Sequence, residues 1–97
     1  MNSAENEKMT DLFPGKLYEL TTGWLSFYFA SIEKEVVIGK GERLLFLFES
    51  CHGRLLSLVF LSPKHGKTVV CDFGISKGKN YHPSFFELFQ EVQCNDE

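Results

Sequence analysis

Apolar residues crowd the middle of this chain. Arg43-Leu44-Leu45-Phe46-Leu47-Phe48-Glu49 and Arg54-Leu55-Leu56-Ser57-Leu58-Val59-Phe60-Leu61 are two such runs, separated by Ser50-Cys51-His52-Gly53. Aliphatic and aromatic runs bounded by glycine and small polar residues predict paired strands. Side chains alternate across a strand, so Leu44, Phe46 and Phe48 share one side and Leu45 and Leu47 the other. Both faces are apolar and both want cover. The hairpin therefore marks the centre of a core.

The flanking pattern extends this reading. Phe13-Pro14-Gly15 predicts a turn, Lys16-Leu17-Tyr18-Glu19-Leu20 alternates like a short strand, and Thr21-Thr22-Gly23 breaks it. Trp24-Leu25-Ser26-Phe27-Tyr28-Phe29-Ala30 is aromatic-rich and β-prone, and after a charged link Val36-Val37-Ile38 resumes extension. Gly39-Lys40-Gly41-Glu42 turns into the central hairpin. Beyond it, Ser62-Pro63-Lys64-His65-Gly66-Lys67 carries Pro and Gly where a reversal wants them, and Thr68 to Phe73 reads as another strand. Gly74 to Asn80 reads as a loop. The period then changes: Phe85, Leu88, Phe89 and Val92 stand at i, i+3, i+4 and i+7, one face of a helix, and Ser84-Phe85-Phe86-Glu87 fits a capping box.

The expectation is a mainly β fold, a small antiparallel barrel of five or six strands with a C-terminal α-helix at about residues 84–93. Residues 1–12 read as a flexible N-terminal segment, 13–93 as one domain and 94–97 as a polar tail. One apolar set fills the barrel, and the other lies under the helix, under another loop or against a partner.

Composition adds a few constraints. At 97 residues the chain suits one domain, and ten Phe supply a core without staples. A net charge of −3 disfavours a protein built to neutralise phosphates. Cys51, Cys71 and Cys94 are odd in number and widely spaced, which predicts reduced thiols and a cytoplasmic setting. The polar opening from Met1 to Lys8 shows no signal sequence, and no apolar stretch reaches the roughly 20 residues that span a bilayer.

Two short motifs carry a resemblance. Lys40-Gly41-Glu42-Arg43-Leu44 before an apolar strand resembles the diverging turn of Src-homology-3 (SH3) domains, and Leu17-Tyr18-Glu19 resembles the Leu-Tyr-Asp of their first strand. The order of strand, irregular arm, turn and three strands joined by reversals is similar to an SH3-like barrel over roughly residues 13–73. Arg54-Leu55-Leu56 stands where peptide-binding members carry a tryptophan, and no Pro-x-x-Tyr follows Phe73. The resemblance therefore implies the barrel without the aromatic slots that hold a polyproline II ligand.

Candidate chemistry is sparse. No C-x-x-C or H-x-x-x-H spacing announces a metal site, and no Gly-rich phosphate motif occurs. Neighbouring residues such as Cys51 and His52 point apart on a strand, so they form no catalytic pair; Cys71 with His65 or His82 stays geometrically open. Glu33, Glu35, Glu42, Glu49 and Asp72 look scattered. No cofactor and no catalysis are expected. Trp24 and Tyr28, with Tyr18, are the candidate protein-binding residues, because Trp and Tyr combine apolar area with a polar handle. The expected partner is a protein or a second copy of the chain. The alternative is single-stranded nucleic acid held by Lys64, Lys67, Lys77, Lys79 and Tyr81, a local basic excess with one stacking aromatic.

Overall fold

The computed structural model describes residues 10–74 and 88–92. Seven strands form one antiparallel sheet: β1 (Leu17–Leu20), β2 (Trp24–Phe29), β3 (Glu35–Gly39), β4 (Arg43–His52), β5 (Leu55–Ser62), β6 (Lys67–Gly74) and β7 (Phe89–Glu91). Their spatial order is β3-β2-β6-β5-β4-β1-β7. The sheet curls into a half-barrel with its larger side chains inside.

The curl begins at one corner. The Gly41 N–H donates to the Leu20 carbonyl at 2.9 Å, the Leu20 N–H to Glu42 at 3.0 Å, and the Lys40 N–H to Gly23 at 3.1 Å. Chain 17–29 and chain 35–52 therefore turn the corner together, β1 on β4 and then β2 on β3. Gly41 sits at φ 91°, in the left-handed region where a side chain would be strained. The central hairpin is longer than its apolar runs suggest. Ser50, Cys51 and His52 continue β4, and only Gly53 and Arg54 reverse the chain. With Gly53 at φ 62° this two-residue loop meets the demand of a tight hairpin for glycine at its first position.

Phe60 lies at the middle of the core. Its ring centroid stands 5.9 Å from Phe27, 5.3 Å from Phe46 and 5.1 Å from Phe89, and all four side chains are fully buried. Each contributes about 1.5–3 kcal/mol by leaving water. The arm before β1 closes one side. Leu12 is fully buried, the Thr10 hydroxyl donates to Glu49 Oε1 at 2.6 Å, and the Phe13 N–H donates to Tyr18 Oη at 2.9 Å.

The described residues form seven strands and not the five or six expected, because the last segment adds one, and two further expectations are overturned. The helix expected at about 84–93 is contradicted where that range is described: Phe89–Glu91 is strand β7, pairing Leu20↔Phe89, Glu19↔Gln90 and Tyr18↔Glu91. The Thr21 N–H donates to Leu88 and the Val92 N–H to Leu17, both at 2.8 Å, so this segment takes its backbone partners from β1 in place of the internal bonds of a helix. Leu88, Phe89 and Val92 thus lie along a sheet edge; Ser84 to Glu87, with the proposed capping box, lie outside the described residues.

The second correction concerns Phe48. Phe46 pairs with Phe60 and Phe48 with Val59, leaving Leu47 as a bulge. One extra residue reverses the alternation. Leu44 and Phe46 point inward, whereas Phe48 faces out and is 52% exposed.

Candidate functional site

The outer face of β2 and β3 collects what the core leaves over. Leu25, Phe27 and Phe29 on β2 pack inward with Val36 and Ile38 of β3. Strand alternation then sends Trp24, Ser26 and Tyr28 outward, with Glu35 and Val37 beside them. Trp24 is 65% exposed, Val37 53%, and Ile32 in the β2–β3 link 59%. Trp24 stands opposite Gly39, which brings Val37 into the diagonal position beside it.

Strand β3 is also an edge, and its free groups can be named. The Phe29 N–H donates to the Lys34 carbonyl at 2.9 Å and the Lys40 N–H to Gly23 at 3.1 Å. Hydrogen-bonded pairs alternate in an antiparallel ladder, so Lys34, Val36, Ile38 and Lys40 face β2. Glu35, Val37 and Gly39 face away from it. Glu42 occupies Gly39, its Oε2 accepting the Gly39 N–H at 2.9 Å and its own N–H donating to the Gly39 carbonyl at 3.1 Å. The Glu35 and Val37 backbone groups meet no strand among the described residues.

A depression of about 600 Å³ opens beside Tyr28, lined by Ser26, Phe27, Tyr28, Glu33, Glu35 and Asp72. It arises because β2 and β6 pair only at Tyr28↔Val70 and Phe29↔Val69. Beyond that point the Ser26 carbonyl accepts the Cys71 thiol, at 3.5 Å, instead of a backbone N–H. The carboxylates are held by hydroxyls: Ser26 Oγ donates to Glu35 at 2.6 Å, Ser57 Oγ to Asp72 at 2.6 Å and Tyr28 Oη to Asp72 at 3.4 Å. Burial and then the Asp72 charge push the Tyr28 hydroxyl above its ordinary value. Burial, with a smaller push from Asp72, raises the Cys71 thiol to about 12, so it stays protonated and is a poor nucleophile. No group of three His, Cys, Asp or Glu able to hold a metal occurs among the described residues.

The candidate residues part company. Trp24 and Tyr28 share the outer face, but Tyr18 belongs to the core. It is 3% exposed, edge-on to Phe46 at 6.4 Å, with its hydroxyl accepting from Phe13. Tyr18 is therefore corrected from binding residue to core residue. Its neighbours Leu17 and Glu19 take the outer side. Lys64 and Lys67 flank the β5–β6 reversal, and the Lys64 ammonium lies 3.6 Å from Glu42. Lys77, Lys79 and Tyr81 lie outside the described residues, as does His82. His65 is engaged by Ser62 at 2.9 Å and by the Phe29 ring, and is not joined to Cys71. Cys51 and Cys71 are free thiols, and Cys94 is not among the described residues.

Sequence reading missed Val37 and the convergence of Glu33, Glu35 and Asp72. Val37 looks like any strand valine until its strand is known to be an edge. The acids meet because Glu35 stands across from Tyr28, and Tyr28 pairs with Val70, two residues from Asp72.

Fold and surface together define a small antiparallel β half-barrel with an exposed, partly apolar edge ribbon. Comparison with protein-family models, with curated proteins and with solved structures finds no match for this chain. Among the described residues no helix is long and apolar enough to cross a membrane.

Proposed function

We propose that this protein is a non-catalytic protein-binding module whose docking surface is the β2–β3 ribbon. One observation carries the reading. Trp24 of β2 and Val37 of β3 are exposed side by side, and the Glu35 and Val37 backbone groups of β3 lack a partner strand among the described residues. A free edge supplies main-chain affinity for an added strand, and adjoining side chains supply selectivity. The acidic depression at Ser26, Tyr28, Glu33, Glu35 and Asp72 adds a polar rim to the apolar patch.

The same reading includes an SH3-like arrangement of the barrel. In its favour, the β2–β3 ribbon forms an arm between the first strand and the turn at Gly41, and three strands joined by short reversals follow. The last strand returns to pair with the first. The ribbon then occupies the arm that borders the ligand groove in the SH3 family.

Selection from a library of displayed peptides tests the docking surface. Extended sequences with alternating apolar residues are expected to enrich on the parent protein. Their binding is expected to fall at least tenfold on folded Trp24→Ala and Val37→Lys variants. Ligands indifferent to both substitutions would contradict the assignment of the surface.

A further inference from the structure

Resting on that docking surface, we propose that its partner is a second copy of this chain, joined through β3 about a two-fold axis at Val36. The unfilled part of the edge is short and almost symmetric. Glu42 fills Gly39, so among the described residues only Glu35 and Val37 direct unpaired backbone groups outward from β3, with Val36 between them. An antiparallel partner centred on Val36 pairs Glu35 with Val37 of the partner subunit, and Val37 with Glu35 of the partner subunit. Each pair exchanges hydrogen bonds in both directions, so the exposed N–H and C=O groups satisfy one another.

The register follows from Glu42. A pairing centred on Val37 would set Glu35 against Gly39 of the partner subunit, whose N–H and carbonyl Glu42 already holds. The centre therefore falls on Val36.

Charge favours the same arrangement. Glu33 and Glu35, with Lys34 between them, leave one end of β3 with an acidic excess, and Lys40 stands at the other end, all exposed. Antiparallel pairing about Val36 brings Lys40 of the partner subunit level with Ile32, beside Glu33, and does the same on the other side of the axis. A parallel arrangement would stack like charges. The pairing also places both copies of Val37 diagonally across the junction, next to their own Trp24. Two apolar patches thereby merge into one, and a two-fold contact closes on itself without growing into a fibre. Unpaired edges otherwise invite open-ended association.

Sedimentation from micromolar to millimolar concentration provides the first readout. A reversible dimer is expected for the parent. Val37→Pro should weaken it at least tenfold, because the lost N–H belongs to the outer edge and not to the β2 ladder. Val37→Lys, which leaves the backbone intact, should act in the same direction, with thermal melting confirming that each variant is folded.

Register is read by cross-linking in a Cys51→Ser, Cys94→Ser background. Val36 of one copy faces Val36 of the other in a non-hydrogen-bonded pair, about 4.5 Å between Cα atoms, within disulfide reach. Val36→Cys is therefore expected to oxidise to a covalent dimer several-fold faster than Val37→Cys. A parent that stays monomeric throughout, a dimer indifferent to both Val37 substitutions, or equal cross-linking at the two positions would overturn the proposal. A monomeric parent whose selected peptides still depend on Trp24 and Val37 removes only the second copy as partner. Peptides indifferent to those residues remove the docking surface itself.

Discussion

Phe46 and Phe48 are two residues apart on β4, and unbroken alternation would give them equal weight. The bulge at Leu47 separates them. Phe46 is fully buried, edge-on to Tyr18 and 5.3 Å from Phe60. Truncation to Ala should cost about 3–5 kcal/mol from lost transfer energy and the cavity left behind. Stabilities run at roughly 0.05–0.15 kcal/mol per residue, about 5–15 kcal/mol for a chain of this length. Phe46→Ala should therefore remove a large share of the stability or unfold the protein. Phe48 keeps about half of its surface in water, so Phe48→Ala should lose about half of the usual ~1.5–3 kcal/mol, near 1 kcal/mol. Urea titration followed by far-ultraviolet circular dichroism is the suitable assay, since the exposed Trp24 reports poorly on core packing. The midpoint should fall sharply for Phe46→Ala and slightly for Phe48→Ala, with a similar slope in both. Equal losses would refute the bulge and restore simple alternation along β4.

Phe89→Ala should destabilise by about 3–5 kcal/mol in the same titration, because the ring is fully buried against Phe60; a loss below about 1 kcal/mol would contradict the placement of β7. Stability should also decline in alkali. Cys71 holds its proton in the folded chain up to about 12, against an ordinary value of 9.0, so unfolding between those values releases a proton and becomes easier as pH rises. Tyr28, raised from 10.0, adds to the decline above that pH. In Cys71→Ala the loss between pH 9.0 and 10.0 should be shallower than in the parent; parallel curves would remove Cys71 as the cause.

The first six strands were legible because their signals are local. Apolar runs end at Gly41, Gly53 and Gly66, each with φ above 60°, where the chain has to turn. Interior and exterior were only partly legible. Leu17-Tyr18-Glu19-Leu20 fixes two alternating sets, but which set faces the core depends on β4 and the Leu12 arm. The last element misled for a related reason. Leu88, Phe89 and Val92 satisfy helical spacing, but periodicity carries no information about the backbone partners that β1 holds out at Leu17 and Thr21. Leu47 left no mark either, since a bulge changes counting and not composition. The candidate surface was half legible: Trp24 and Tyr28 stood out by residue type. Val37 and the acids became meaningful only through the strand order.

The pairing of β1 with β7 also bears on the time course of folding. Hairpins β4–β5 and β5–β6 close over short loops, whereas Tyr18 must find Glu91 across most of the chain. Contacts so distant in sequence are entropically costly to close early. The β4–β5–β6 meander is thus expected to organise the transition state, with β7 docking afterwards. A late-docking strand acts chiefly as a latch: weakening it leaves the folding rate nearly unchanged and speeds unfolding. Rapid-mixing kinetics on Phe89→Ala should show the change on the unfolding limb, and Phe60→Ala on both limbs. The three residues of β7 would then govern how long the folded molecule lasts more than how quickly it forms.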